Sequence, residues 1–163
     1  PGHGGMAVFD RSWYGRVLVE RVEGYATKAE WSRGYKAIRD FEESLVREGI
    51  IIVKFWMQIS EDEQLRRFEA RSADPLKRWK LTADDWRNRD KSHLYREAAE
   101  DMFDKTSHRL SPWEVIPAEQ KRFGRIAVLE ILNQRIEEGM KRFGMDVPSL
   151  SELDVRDDAG PAR

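Results

Sequence analysis

Apolar positions along this chain fall into short runs and periodic stripes, separated by densely charged segments. Met6 to Phe9 is a short apolar run that predicts a buried strand. From Lys28 to Arg47, Trp31, Tyr35, Ile38, Phe41/Glu42 and Leu45 recur at helical spacing, predicting a helix with one buried face. Gly49 ends it, and Ile50 to Met57 is almost continuously apolar, as in a strand covered on both faces. Ser60, with Glu63 on the same turn, predicts a capping box for a helix that carries Leu65 and Phe68 to about Ser72. Asp74-Pro75 breaks the pattern, and Leu76 to Leu81 forms a short basic connector. Thr82 then caps a long helix containing Trp86, Leu94, Tyr95, Ala98, Met102 and Phe103. Trp113 to Ile116 predicts a third strand. Pro117 leads into a last amphipathic helix through Phe123, Ile126, Leu129, Leu132, Ile136 and Met140. Gly144 to Arg163 has no period and reads as a flexible, poorly packed tail. The alternation is βαβαβα, which predicts an α/β fold with a parallel sheet layered by helices.

Composition narrows this picture. With 163 residues the chain holds one domain. Charged residues make up 36%, yet the formal net charge is −1, so no global field draws the chain to nucleic acid or to a membrane surface. Any anion site is therefore local. The absence of cysteine removes disulfides, thiolate metal sites and cysteine nucleophiles, and fits a reducing, cytoplasmic setting. No apolar stretch is long enough to span a bilayer, and the first residues carry no secretory signal pattern. His3, His93 and His108 have no metal-ligand spacing and are expected at the surface.

Candidate chemistry begins where the first apolar run ends. Phe9-Asp10-Arg11-Ser12-Trp13-Tyr14-Gly15-Arg16 puts a carboxylate, a hydroxyl and two arginines at the carboxyl end of a predicted strand, where ligands of parallel sheets sit. A carboxylate there suits a hydrated Mg²⁺, and the arginines suit phosphate oxygens. Phe-Asp-Arg alone is equally the end of a core strand with a solvated ion pair. A second cluster lies downstream. Between Gln64 and Lys80 six basic residues (Arg66, Arg67, Arg71, Lys77, Arg78 and Lys80) face two acidic ones, a local balance of +4. Arg67 and Arg71 lie one helical turn apart, so they share a face and can reach one anion. The basic residues straddle a Pro-broken connector, the arrangement of a lid over a phosphorylated ligand, although most charge runs are solvated faces.

Together these residues resemble the polyphosphate kinase 2 family, phosphotransferases of P-loop type that use inorganic polyphosphate. Phe9-Asp10-Arg11-Ser12-Trp13-Tyr14 is similar to the family's Walker B segment. Val53-Lys54-Phe55-Trp56, Glu63 to Phe68 with Arg71, and Asp74-Pro75-Leu76-Lys77-Arg78-Trp79-Lys80-Leu81 resemble its strand, helix and lid. Ser111-Pro112-Trp113 with Lys121 resembles its closing portion. The run from Gly15 to Gly24 is most similar to the polyphosphate:AMP phosphotransferase branch, whereas Glu119-Gln120 departs from the commoner pattern.

The resemblance implies a P-loop kinase-like fold of the thymidylate kinase type and transfer of a phosphoryl group from polyphosphate to AMP. It implies Asp10 as the Mg²⁺-orienting carboxylate, with Arg11 and Arg16 on phosphates and Arg71, with Arg67, as lid arginines. Lys77, Arg78 and Lys80 would line the polyphosphate path. Trp13 and Trp79 would pack on the base or cover the site, with packing in the core or at the rim the alternative that aromatic residues favour. A homo-oligomer is expected, with no nucleic-acid or membrane partner. The family's Gly-rich Walker A loop with its Lys has no counterpart here, since no Gly-Lys pair occurs. The resemblance therefore implies the C-terminal part of a catalytic domain over residues 1–143, with a helical lid at about 61–91, inactive alone. Its first strand would lie between the Met6–Phe9 and Ile50–Met57 strands, and without it both lack their common neighbour. Two other readings share many of these residues: an ATP-dependent nucleoside monophosphate kinase, and a non-catalytic module that binds polyanions.

Overall fold

A computed structural model of the chain describes residues 4–148 together with Gly2. After an extended segment, a 3-10 turn at Ser12–Arg16 leads to α1 (Val19–Val22) and α2 (Lys28–Arg47). β1 (Lys54–Gln58), α3 (Glu61–Ala73), a 3-10 turn at Arg78–Lys80, α4 (Ala83–Asp90) and α5 (Ser92–Thr106) follow. β2 (Trp113–Pro117) and α6 (Lys121–Arg142) complete the order. β1 and β2 pair in parallel, with Lys54 opposite Trp113 and Met57 opposite Ile116. The crossover between them contains α3 to α5. The predicted α/β class with a parallel sheet is what forms.

α2 keeps the boundaries its apolar period predicts. Its first turn is closed by Glu30, whose carboxylate accepts from Thr27 N and Thr27 Oγ1, both at 2.7 Å. That satisfies a donor no helical carbonyl can reach. Tyr35, Ile38 and Val46 on its inner face join Tyr14, Val17 and Met102 in burial, ringed by Trp13, Trp31, Trp56, Phe103 and Trp113. Close approach is needed where the Ser12–Arg16 turn meets α2: a Cβ on Gly34 would lie 3.0 Å from Arg16 Cγ and from Val17 Cγ1.

Four expectations are corrected. Met6 to Phe9 is extended but unpaired, with Val8 90% exposed, because no strand lies beside it to receive its backbone hydrogen bonds. The strand predicted from Ile50 begins only at Lys54, where pairing with Trp113 starts. Its far end is open, with Met57 and Gln58 exposed, so the sheet is not covered on both faces. The long helix predicted from Thr82 is two helices, since Lys91 at φ −93°, ψ 13° leaves helical geometry. No Gly or Pro marks that break. Finally, His108 is half-buried and its ring meets the Ser111 hydroxyl at 2.9 Å, whereas His93 is exposed as expected. His3 and most of the predicted tail lie outside the described residues.

α6 packs against β2 and the segment before β1 through small residues. Gly124 lies on Ala118, and a Cβ on Gly139 would fall 2.3 Å from Ile51 Cδ1 and 2.5 Å from Ile51 Cγ1. Its other face leaves Phe123, Ile126 and Leu129 more than half exposed. Among the described residues no helix is long and apolar enough to cross a membrane.

Gly139→Ala tests that contact. Overpacking against Ile51 is expected to cost about 1–3 kcal/mol, against roughly 1 kcal/mol gained in helix propensity. In urea unfolding, Ile51→Ala should remove most of the penalty, so that the two substitutions together are far less than additive.

Candidate functional site

The segment that carries Asp10 and Arg11 is a strained turn. Ser12 N donates to Asp10 O at 2.8 Å, closing a tight three-residue turn. Arg11 and Ser12 take φ of 64° and 58°, the left-handed region that side chains with a Cβ avoid. Such a conformation costs on the order of 1–3 kcal/mol per residue and persists only where surrounding contacts impose it. Here they come from the next two residues. Trp13 Nε1 donates to Glu42 Oε1 at 3.0 Å and Tyr14 OH donates to the same oxygen at 2.6 Å. Glu42 is wholly buried on α2, and its second oxygen accepts Lys54 Nζ at 2.8 Å. Lys54 also donates to Thr106 O at 2.9 Å. Burial pushes the Lys54 ammonium down, against the upward pull of Glu42, and burial likewise pushes the Tyr14 phenol far up.

Asp10 and Arg11 themselves are exposed at the surface this turn presents. Arg16, also exposed, pairs with Glu20 at 2.9 Å and borders a shallow cavity of about 370 Å³ with Glu30 and Arg33. Below the turn, Glu23 ties this segment to the break between α4 and α5. Its buried carboxylate accepts from Lys91 Nζ at 2.8 Å and from Tyr95 OH at 3.3 Å, with Arg87 Nε at 3.5 Å. The Lys91 hydrogen bond, with the Lys91 and Arg87 charges, holds Glu23 below the usual carboxylate range. The Tyr95 hydroxyl is pushed up by burial and by Glu23, against the opposing charges of nearby Arg11 and Arg87.

The lid region is clamped at its root and open at its tip. Ser60 Oγ accepts Glu63 N at 3.1 Å, but the reciprocal half of the predicted capping box is missing. Ser60 N donates instead to Glu119 Oε1 at 2.5 Å, while Glu63 accepts from Arg66 and Arg67. These two arginines hold the Glu63 carboxyl at about 2. Arg67 then donates to Ala118 O at 2.6 Å and Glu119 O at 3.1 Å. So Arg67 does not share an anion-facing surface with Arg71: it is docked on the loop between β2 and α6. Arg71 packs on the Phe68 ring at 5.8 Å and makes no ion pair among the described residues. On the second side, Arg89 donates to Glu61 O at 2.6 Å and Gln64 Oε1 at 3.0 Å, and Phe68 meets Trp86 edge-on at 5.2 Å. The tip is exposed, with Leu76 83% and Trp79 72% accessible. There Lys77 is paired with Asp74, Lys80 Nζ lies 5.2 Å over Trp79, and Arg78 is free of ion pairs among the described residues.

Sequence reasoning named Asp10, Arg11, Arg16, Arg67, Arg71, Lys77, Arg78 and Lys80 but missed the groups that hold them. Glu42 and Lys54 each interrupt an apolar pattern with an opposite charge, a signal that two buried charges meet. Glu23 and Glu119 left no such mark. Trp13 takes the packing role expected for it over one on a ligand: it lies against the core, beside Phe41 at 5.0 Å.

For a metal the donor set is small. Among the described residues no three His, Cys, Asp or Glu side chains come together as a metal centre. Beside Asp10 in sequence, however, the Ser12 hydroxyl is buried without a hydrogen-bond partner. One carboxylate and one hydroxyl are hard oxygen donors. They fit Mg²⁺, which takes few protein ligands and fills its octahedron with water and phosphate oxygens.

A family model described as polyphosphate kinase 2 matches residues 1–144. The chain is 50% identical over 142 residues to a protein of Pseudomonas syringae pv. tomato named polyphosphate:AMP phosphotransferase, covering 87% of this chain and 28% of that protein. A protein of the same name from Pseudomonas aeruginosa is 49% identical, with 29% of its length covered. The chain thus spans less than a third of these curated relatives. Two solved structures superpose with a TM-score of 0.80 each. They are a putative polyphosphate kinase 2 from P. aeruginosa (51% identity, 82% of this chain, 29% of that one) and polyphosphate kinase 2 from Arthrobacter aurescens (42%, 91% and 51%).

The Glu63 clamp has a pH signature. Glu63 in the folded chain titrates near 2, below its usual 4.5, so its stabilising contribution is complete above that ordinary range and is lost as pH falls through 2. Carboxyl ¹³C shifts of Glu63 should still report the ionised form at pH 3.5; a midpoint near 4.5 would show that the Arg66 and Arg67 contacts do not persist in solution.

Proposed function

The chain belongs to the polyphosphate kinase 2 family, and from that premise we propose that it carries the metal-orienting turn and the lid of a polyphosphate:AMP phosphotransferase. The observation that carries this reading is the half-identity, over most of the chain, to relatives named for that reaction. In it, an oxygen of the AMP phosphate attacks the terminal phosphorus of polyphosphate. The bond to the bridging oxygen breaks, giving ADP and a chain shorter by one phosphate. Such transfer needs positioning and charge neutralisation more than covalent chemistry.

Asp10 would orient Mg²⁺, with Ser12 Oγ as a neighbouring oxygen donor. When bound, the ion neutralises phosphate charge. Arg11, on the strained turn, and Arg16, at the end of the 3-10 turn that follows, would hold phosphates of the nucleotide or the transferred group. Arg71, unlike the docked Arg67, remains available to the charge that develops on the equatorial oxygens. Lys77, Arg78 and Lys80 lie on the exposed tip, where cations set along a path suit a polyanion better than a short nucleotide tail. Residues 1–143 act, in this reading, as the C-terminal part of a catalytic domain, and the phosphate-cradling loop comes from elsewhere in the molecule. The apolar surface left on α6 suits burial against such a remainder or in a homo-oligomer. The lack of cysteine suits work in the cytoplasm.

A domain exchange tests the reading. This chain replaces the matched segment of the P. syringae relative, and ADP formation from AMP and Mg²⁺ is followed with polyphosphate or ATP as donor. The chimera should use polyphosphate and the isolated chain should not turn over. Within the chimera, Asp10→Asn should lower turnover by about two orders of magnitude or more. Lys77→Ala with Lys80→Ala should weaken polyphosphate use about 100-fold and AMP use far less, since each charge-assisted phosphate contact contributes roughly 1.5–3 kcal/mol. A folded chimera that prefers ATP would overturn the assignment of the donor.

A further inference from the structure

Glu42 is fully buried and touches no surface that a ligand could reach. Yet its carboxylate receives three donors from two distant stretches: Trp13 Nε1 and Tyr14 OH on Oε1, and Lys54 Nζ on Oε2. The first two follow directly on the residues with positive φ, Arg11 and Ser12. Stacking adds to the grip on the same side chains. The Trp13 ring meets Phe41 edge-on at 5.0 Å and Phe9 at 5.7 Å, while Tyr14 meets Trp113 at 4.8 Å. Lys54 Nζ also lies 3.2 Å from Tyr14 OH and completes its shell on Thr106 O.

We propose that Glu42 is a positioning residue: one carboxylate oxygen, shared by Trp13 and Tyr14, fixes the strained turn that presents Asp10 and Arg11, with Lys54 as its counter-ion. Filling space alone does not need this arrangement, because a well-packed apolar pair can replace a buried ion pair without loss of stability. An apolar pair cannot accept two donors at set angles. The hydrogen bonds from Trp13 and Tyr14 supply direction, and the turn depends on direction to hold a conformation its own residues disfavour. The functional half of the proposal rests on the phosphate-site reading above; the structural half does not.

Two variants of the chain separate geometry from packing. In Glu42→Gln with Lys54→Met the amide oxygen still accepts from Trp13 and Tyr14; in Glu42→Leu with Lys54→Met nothing does. Both are compared with the parent for amide exchange at Ser12, Val17 and Leu18, whose N–H groups are bonded within the turn. Inorganic tripolyphosphate with Mg²⁺, titrated calorimetrically, probes the site. The Gln pair should stay within a few-fold of the parent in both measurements. The Leu pair should exchange those amides at least about tenfold faster and bind tripolyphosphate about tenfold more weakly, while far-ultraviolet dichroism stays unchanged. Equal exchange in the two pairs would overturn the positioning role. Should the Leu pair fail to fold, Trp13→Phe with Tyr14→Phe removes the same two hydrogen bonds from the other side and is judged by the same criteria. A parent chain that does not bind tripolyphosphate counts against the phosphate-site reading, and the exchange comparison still decides whether Glu42 holds the turn.

Discussion

The buried Glu42–Lys54 pair joins the first strained turn to the middle of α2, the start of β1 and the end of α5. Two opposite charges taken from water cost several kcal/mol each unless their remaining lone pairs and protons are satisfied. Here they are: the carboxylate has three donors, and the ammonium has the carboxylate, a hydroxyl and a backbone carbonyl. The aromatic residues of the core gather round this network, with Lys54 Nζ 5.4 Å from the Trp113 ring centre. Removing either charge would leave the other without its counter-ion in an apolar site. The same lysine opposes Trp113 at the first pair of the sheet.

The second set of ties joins the segment predicted as a lid to this frame at its root. Glu23 holds the α4–α5 break from below, Glu119 and Arg67 hold the start of α3, and Arg89 links α4 to α3. Each tie uses a charged group on at least one side, so each is directional in a way that apolar packing is not. The connector from Asp74 to Leu81 escapes them.

How much of this was legible in the sequence depends on whether local or distant contacts decide. α2 was readable to the residue because Trp31, Tyr35, Ile38, Phe41 and Leu45 recur at helical spacing, a local signal, and the Thr27–Glu30 capping box acts within one turn to fix its start. β2 and the extent of α6 were readable in the same way, but the packed face of α6 was not: the stripe of Phe123, Ile126 and Leu129 is exposed, and Gly124 and Gly139 make the close contacts. The helix break at Lys91 was not, since it is associated with contacts to Glu23, far away in sequence. The capping box at Ser60 was half right: the backbone donor meant for Glu63 went to Glu119, and Arg66 and Arg67 took Glu63. Met6 to Phe9 carries a strand's apolar pattern, but pairing needs a neighbour, and pattern alone supplies none. At the site, the charged residues announced themselves by type and spacing, whereas Glu42 was visible only as a flaw in the apolar stripe of a helix.

The two-stranded sheet has a material consequence. Among the described residues both its strands are edges; Val115 of β2 is half exposed, and α6, which packs on β2, leaves Phe123, Ile126 and Leu129 open. Sheets this small are marginal alone, and open edges recruit strands from other molecules. An open edge of this kind is a template for strand pairing, so covering it, by another segment or another copy, is what a lasting sheet at this place requires.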